Sequence, residues 1–186
     1  SDLFRKYRTT KKKEPDIKTL KKMRQQFLTS HEDDNLPFGT PNHSPPEEDT
    51  YRIFFQNVNG FSVHENETWK LAMFHMYEIH ASIFGFAECK VPWTAARIQD
   101  YRKSARGYFG NISFATSYKK CHIKTKLPDS PVAGGTCTCV TGPWATRIVD
   151  RGCDPSCMGR WSFVTLIGRY NRKLTIVTAY RVHNTT

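Results

Sequence analysis

The sequence contains no apolar run long enough to cross a membrane, and it does not open with the basic and apolar segments of a secretory signal. We therefore expect an intracellular, reduced protein without membrane contact, in which the six cysteines are free thiols. Neither Cys137-Thr138-Cys139 nor Cys153-x-x-x-Cys157 has the usual cysteine spacing of a zinc motif. A role as small core or loop residues is therefore favoured over zinc binding.

Acidic residues are scarce, since 17 Asp and Glu stand against 28 Lys and Arg and leave a net charge of +11. Residues 1–30 hold ten basic and three acidic residues, whereas residues 31–50 hold six acidic residues and no Lys or Arg. The remainder, 51–186, is basic again. A basic domain behind a basic arm favours a polyanionic partner, because phosphates release counterions when they meet Lys and Arg. The alternative is a cationic protein with a solvated basic tail.

The charge pattern divides the chain into an N-terminal arm and a domain. Residues 1–13 end in a basic run that we expect to contact nucleic acid, Lys11, Lys12 and Lys13. Residues 15–29 have helical apolar spacing and predict a short basic helix, which is marginally stable alone and could bind nucleic acid or a partner. Four prolines among residues 31–50 indicate a flexible linker. Residues 1–50 are therefore predicted to be largely disordered, and 51–186 to form the folded domain.

Residues 51–186 begin with alternating strands and helices and end with short strands. The first part predicts a strand at Tyr51–Val58, a helix capped by Asn66, a strand at Ser82–Ala87, and a helix capped by Thr94 that runs to about Ala105. The later strands are predicted at Gly107–Ala115, Gly135–Thr141, Trp144–Val149, Trp161–Ile167 and Leu174–Ala179, with a tight turn at Asn171-Arg172. This order predicts an α+β fold, a mixed sheet with helices on one face.

Polar residues close the first two predicted strands. Asn57 and Asn59 lie two apart on a strand and so point to one side, and Gly60 permits a sharp turn behind them. Glu88 ends the second, buried-looking strand. If the two strands are parallel neighbours, these side chains share the carboxyl edge, where open α/β sheets commonly bind ligands. One carboxylate with amide oxygens suits magnesium, and the alternatives are a plain Asn-Gly turn and a solvated carboxylate.

The motifs resemble those of the endonuclease/exonuclease/phosphatase superfamily. That family opens with a strand ending in Asn-x-[Asn/Asp]-Gly, which Asn57–Gly60 matches, and its next strand ends in a metal-binding Glu, which Glu88 matches. Gly134-Gly135 match the Gly-rich start of a later strand, and Tyr180 matches an aromatic residue at a strand end. The resemblance covers about residues 51–182 and is greatest to endonuclease domains found beside reverse transcriptases in eukaryotic mobile elements.

The resemblance implies a magnesium- or manganese-dependent phosphodiesterase that nicks DNA in the nucleus, with a reverse transcriptase in the same polyprotein as a further partner. It implies that Glu88 and Asn59 lie on the metal side, that Asn57 orients the site, and that Tyr180 hydrogen-bonds the developing phosphorane. The basic residues beside these motifs are expected to bind the DNA backbone, namely Lys90, Arg160 and Arg181.

The sequence also departs from the family. The family's second half supplies a Gly-Asp-x-Asn and a Ser-Asp-His segment that this sequence lacks, and His183 has no Asp neighbour that would make it catalytic. The chain begins with Ser1, and its last strand-like run stops near Thr186, so we expect a fragment. It is predicted to be half of a four-layer α/β/β/α sandwich, with strands for about one sheet, and inactive alone. The alternatives are a non-catalytic remnant that binds nucleic acid through its basic surface and a phosphatase of the same superfamily.

Overall fold

The computed structural model describes residues 46, 50–61, 67–119 and 133–181 of the chain. The first half of this region consists of β1 (Arg52–Asn57), α1 (Glu67–Glu78), β2 (Ala81–Ala87), α2 (Ala95–Phe109) and β3 (Ile112–Ser117). The second half consists of β4 (Thr136–Thr141), β5 (Ile148–Cys153), β6 (Trp161–Ile167) and β7 (Lys173–Ala179). The predictions for the basic arm, the helix at 15–29, the linker, the Asn66 cap and His183 lie outside the described residues.

The strands form two sheets, and the first of them is mixed. Its order is β1-β2-β4-β3, with β1 parallel to β2 and with β4 antiparallel to both of its neighbours. The second sheet has the order β5-β6-β7 and is antiparallel throughout. The predicted α+β class and the hairpin between the last two strands are therefore confirmed. The first two strands are parallel neighbours, which is the condition under which their polar ends share one edge.

Both described helices pack on one face of the first sheet, as predicted. The alternation of β2 explains this, because Phe84 and Phe86 point to the helices and are fully buried there. Trp69 of α1 is also fully buried, and its Nε1 donates a 3.0 Å hydrogen bond to the carbonyl of Tyr101 in α2. Thr94 caps α2 through a hydrogen bond from the amide of Arg97, as the sequence predicted.

The second sheet packs on the opposite face of the first. Six buried apolar residues meet across this interface, Ile83, Ala115, Val140, Val164, Leu166 and Ile176. The described residues thus form three layers, which are helices, a mixed sheet and an antiparallel sheet. The prediction that the chain has strands for about one sheet is wrong, because the short strands after α2 are divided between two sheets rather than added to one.

Two of the predicted strands are misplaced, the first at Gly107–Ala115. The helix α2 continues through Gly107 to Phe109, and β3 begins only at Ile112. The aromatic ring of Phe109 packs against Tyr77 of α1 at 6.2 Å, so tertiary contacts favour the last helical turn despite Gly107. The helix stops at Gly110, which has a φ of 65°.

The second misplaced strand is Trp144–Val149. Residues Gly142–Arg147 form a 3₁₀ turn, and β5 runs from Ile148 to Cys153 instead. Pro143 favours the turn because it lacks an amide donor and fixes its own φ. Trp144 leaves the sheet to pack edge-on against Tyr51 at 4.3 Å between ring centroids.

The cysteine pair Cys137 and Cys139 points to one face of β4, as its spacing predicted. Both thiols are fully buried in the core beneath the helices, with their sulfur atoms 3.4 Å apart. Burial raises the pKa of Cys139 and also that of neighbouring Cys89. These thiols are therefore small core residues in the described part of the chain. None of the described helices is long and apolar enough to span a membrane.

Candidate functional site

Three strand ends from two sheets meet at one edge of the domain. Because β1 and β2 are parallel, Asn57 lies opposite Ala87, so Asn57 and Glu88 are neighbours where both strands end. Strand β7 of the second sheet ends at the same edge, and Tyr180 follows it directly. The structure therefore brings Asn57, Glu88 and Tyr180 together, although they are far apart in sequence.

Glu88 lies at the centre of this group and accepts hydrogen bonds from two side chains. The bond from the Asn57 amide lowers the pKa of Glu88 most, and the bond from the Tyr180 hydroxyl lowers it next. Burial raises this pKa by less than either bond lowers it, and the charge of Lys90 adds the smallest lowering effect. The same bond to Glu88, with burial and the negative charge of the carboxylate, raises the pKa of Tyr180. At neutral pH the site therefore holds an ionised carboxylate beside a protonated phenol.

The orientation of the Asn57 amide follows from its two partners. Its Oδ1 accepts a 3.0 Å hydrogen bond from the backbone amide of Asn59, so its NH₂ group faces Glu88. This side chain closes a turn directly after β1. The sequence predicted that Asn59 continues the strand on the same side as Asn57. That prediction is wrong, because β1 ends at Asn57 and Asn59 lies in the turn with a φ of 49°.

Lys90 belongs to the same group, although the sequence predicted it only as one of several DNA-binding residues. Its Nζ lies 2.5 Å from Oδ1 of Asn59, and its charge acts on Glu88. Gly60 makes room for the lysine stem, since a Cβ there would lie 3.1 Å from Cδ of Lys90. No local motif marks this contact in the sequence, because it depends on how the turn after β1 folds over the turn after β2.

The backbone around Glu88 adopts an uncommon conformation. Glu88 and Lys90 have φ values of 55° and 54°, in the left-handed region that non-glycine residues seldom occupy. The amides of Cys89 and Lys90 donate hydrogen bonds of 3.0 and 2.7 Å to the carbonyls of Gly135 and Gly134. The two glycines therefore hold the turn that carries Glu88. Gly134 has a φ of 74°, a conformation that favours glycine, and the Tyr180 ring lies in ordinary contact 3.7 Å from where its Cβ would be.

The other two described cations of the predicted DNA-binding set lie beside Tyr180. The carbonyl of Arg160 accepts a 2.7 Å hydrogen bond from the amide of Tyr180, and Arg181 follows Tyr180 in the chain. Both arginine residues are exposed. Lys90, Arg160 and Arg181 thus lie along one edge, where their contact with DNA stays a prediction. Lys11, Lys12 and Lys13 lie outside the described residues.

An open groove leads away from Asn57 between the two sheets. Its volume is about 430 Å³, and β1, β2 and β7 contribute its walls. Phe55 and Val177 line it and are 49% and 51% exposed. Gly85 forms its floor, because a Cβ at that position would lie 2.2 Å from Oγ1 of Thr178 and 2.4 Å from the Phe55 ring. The sequence did not predict this groove, because the pattern around Gly85 indicates only a buried strand residue.

The residues present fit a magnesium ion held by one carboxylate. Among the described residues, no cluster of three or more His, Cys, Asp or Glu side chains is arranged to hold a metal ion. Magnesium does not require such a cluster, because proteins commonly hold it through one or two carboxylates together with waters and substrate phosphate. Glu88 supplies one ionised, partly exposed carboxylate of this kind.

Comparisons of the chain with models of known protein families and with curated proteins find no match. The family resemblance therefore stays a prediction that rests on the short motifs and their order.

Proposed function

We propose that this domain is an endonuclease-like, magnesium-dependent phosphodiesterase of mobile-element type that acts on DNA, and that the described residues supply the metal side of its site. One observation carries the proposal. Glu88, Asn57 and Tyr180 come from three strands in two sheets and form one hydrogen-bonded cluster at an open edge. Carboxylates with several donors and a shifted pKa concentrate at functional sites, and this arrangement therefore supports the proposal.

Each residue of the cluster has a role that its contacts support. Glu88 would hold the magnesium ion, which supplies Lewis-acid stabilisation of a phosphoryl oxygen when bound. The hydrogen bond from the Asn57 amide would fix the orientation of this carboxylate. The Tyr180 hydroxyl, which donates to Glu88 in the free protein, would turn its proton to a phosphoryl oxygen as negative charge develops on that oxygen. Lys90 supplies a fixed positive charge that attracts the phosphate.

A second candidate function is binding without hydrolysis. It is favoured by the charge at the edge, where three cations, Lys90, Arg160 and Arg181, stand against two carboxylates, Glu88 and the Asp154 that adjoins Arg160. Hydrolysis needs a group that activates water, and the cluster itself contains a protonated phenol and a carboxylate already occupied by donors. A phosphatase of the same type would use the same cluster on a smaller phosphoester, so the substrate has to be tested directly.

The test is nicking of supercoiled plasmid, with magnesium or manganese and with a chelator, by the 186-residue chain and by a longer chain that also carries the family's Gly-Asp-x-Asn and Ser-Asp-His segments. Metal-dependent nicking that Glu88→Gln reduces at least about a hundredfold would support the nuclease proposal. The matched control is Asp100→Asn, which neutralises an exposed carboxylate on α2 away from the cluster. Nicking that survives Glu88→Gln would overturn the assignment of the site.

The binding alternative predicts a different result from the same proteins. Salt-sensitive plasmid binding without nicking at any metal concentration would favour it. Release of phosphate from a small phosphomonoester or an inositol phosphate, without any plasmid nicking, would assign the site to a phosphatase instead.

A further inference from the structure

The interior between the two sheets is divided into an apolar end and a hydroxyl-lined end. We call the edge at which Asn57, Glu88 and Tyr180 meet the functional edge. Far from this edge, apolar side chains such as Val164 and Leu166 fill the space between the sheets. At the functional edge, four buried hydroxyl residues take their place. They are Thr136 and Thr138 of β4, Ser162 of β6 and Thr178 of β7, and each is at most 3% exposed.

These four hydroxyl groups form a continuous chain of hydrogen bonds. Oγ1 of Thr136 donates to Oγ of Ser162 at 3.1 Å, and Oγ of Ser162 lies 3.0 Å from Oγ1 of Thr138. Oγ1 of Thr138 in turn donates to Oγ1 of Thr178 at 2.8 Å. Oγ1 of Thr138 also lies 3.0 Å from the backbone carbonyl oxygen of Ser162, so its single proton is shared between that carbonyl and Oγ1 of Thr178, while Ser162 can donate to Thr138. Each of the three hydroxyl contacts joins a residue of the first sheet to a residue of the second sheet.

The hydroxyl chain also joins the segments that carry Glu88 and Tyr180. Thr136 directly follows Gly134 and Gly135, whose carbonyls hold the turn of Glu88 through hydrogen bonds of 2.7 and 3.0 Å. Thr178 lies two residues before Tyr180 on β7. Glu88 directly follows β2 of the first sheet and Tyr180 directly follows β7 of the second, so their hydrogen bond depends on how the two sheets are positioned relative to each other.

Packing alone does not require hydroxyl groups at these positions. Val140, the next inward-facing residue of β4, is apolar and packs against the second sheet without polar contacts. Buried hydroxyl groups lower stability unless they are hydrogen-bonded, whereas apolar side chains would fill the space without that requirement. A fully satisfied polar network instead fixes one arrangement of the elements it joins. A displacement of about 1 Å between reacting groups can change a rate about a hundredfold.

We propose that Thr138, Ser162 and Thr178 are positioning residues, whose hydrogen bonds across the two sheets hold the Tyr180 hydroxyl against Glu88. The inference rests on the proposed function for the use of this pair, but the geometry it describes can be measured without metal or nucleic acid. At this edge of the sandwich, the hydrogen bonds of the hydroxyl chain take the place of apolar packing. The relative position of the two sheets at this edge determines the distance between Glu88 and Tyr180.

The test is NMR of the full chain with ¹³C at Cζ of tyrosine, at neutral pH. This carbon reports hydrogen bonding of its own hydroxyl group. Tyr180→Phe identifies the Tyr180 resonance among the eight tyrosines, and Glu88→Gln gives the shift that accompanies a weakened bond. We expect Thr138→Val and Ser162→Ala to move the Tyr180 resonance in the same direction as Glu88→Gln, by at least half as much.

Two controls separate position from stability. Thr138→Ser keeps the hydroxyl group and should restore the wild-type resonance. Thr165→Val removes a hydroxyl that lies 3.0 Å from Thr175 on the same second sheet, but outside the chain that leads to Tyr180. It should leave the Tyr180 resonance unchanged.

Each outcome bears on the proposal. An unchanged Tyr180 resonance in folded Thr138→Val and Ser162→Ala would overturn it. Failure of both variants to fold would also overturn it, since the hydroxyl groups would then serve stability rather than position. The expected shift in a chain that never nicks DNA would leave the positioning inference standing and count against the nuclease proposal alone.

Discussion

Replacing Glu88 with Gln should lower the stability of the domain at neutral pH and change how stability depends on pH. Gln has the shape of Glu and can still accept hydrogen bonds, so the variant isolates the negative charge. In the wild-type protein, that charge strengthens the bonds from Asn57 and Tyr180 and attracts Lys90.

The size of the effect follows from these contacts. A hydrogen bond to a charged group stabilises a protein by about 1.5–3 kcal/mol, and a neutral bond by about 0.5–1.5 kcal/mol. Two bonds would therefore lose about 2 kcal/mol on neutralisation. Glu88 is partly exposed, which screens its charge, so we expect a fall in the free energy of unfolding of about 1 kcal/mol.

The pH dependence has a definite sign. The hydrogen bonds from Asn57 and Tyr180 lower the pKa of Glu88 below its ordinary value of 4.5. A carboxylate with a lowered folded-state pKa stabilises the fold above its unfolded-state pKa, and this contribution is lost as the pH falls through the folded-state value. The stability difference between wild type and Glu88→Gln should thus be constant from about pH 7 to pH 5.5 and should shrink below about pH 4.5.

Urea unfolding followed by tryptophan fluorescence at pH 7, 6, 5, 4 and 3 measures this difference, with Asp100→Asn as the control for loss of a carboxylate elsewhere. A Glu88→Gln protein as stable as wild type at pH 7 would contradict the hydrogen-bonded cluster. A stability difference that stays the same down to pH 4 and below would show that the loss does not come from the charge.

Three further changes test other parts of the structure. Gly85→Ala should destabilise the domain by about 1–3 kcal/mol in urea unfolding, because the new Cβ would lie 2.2 Å from Oγ1 of Thr178; a variant as stable as wild type would refute that packing. Asp154→Ala should cost about 2–3 kcal/mol in the same measurement, since its carboxylate accepts bonds from the amide and hydroxyl of Ser156 and from the amide of Arg160; Ser156→Ala should cost less. Lys90→Met should weaken DNA binding and reduce the slope of log affinity against log salt by about 1, while an unchanged slope would exclude a phosphate contact.

The strand ends that form the site could be predicted from the sequence, because the pairing of neighbouring strands depends on residues close together in the chain. A buried strand that ends in Glu88 and follows a strand and a helix is expected to lie parallel to the first strand, which brings Asn57 beside it. Trp161–Ile167 was predicted with the observed bounds, since its apolar residues end cleanly at Gly168. These features depend on residues within one βαβ unit or one hairpin.

The remainder depended on contacts across the two sheets, which a local pattern does not contain. The strands after α2 have similar lengths and compositions, so nothing in the sequence assigned β3 and β4 to one sheet and β5 to the other. The hydroxyl residues at 136, 138, 162 and 178 therefore read as ordinary strand residues. Lys90 read as a surface cation for the same reason, because its partner Asn59 comes from a different turn.

The charges of the cluster determine whether it binds a divalent cation or a phosphate more readily. Lys90 lies against Asn59 and acts on Glu88, so a divalent cation approaching this carboxylate meets a fixed positive charge within the same group. A phosphate experiences the opposite effect, since Lys90, Arg160 and Arg181 all attract it. The described residues should therefore bind phosphate more readily than they bind free magnesium, and a bound phosphate would offset the repulsion that the cation meets. We therefore expect DNA cleavage to require the metal ion and DNA binding to occur without it, because Glu88 beside Lys90 attracts free magnesium only weakly.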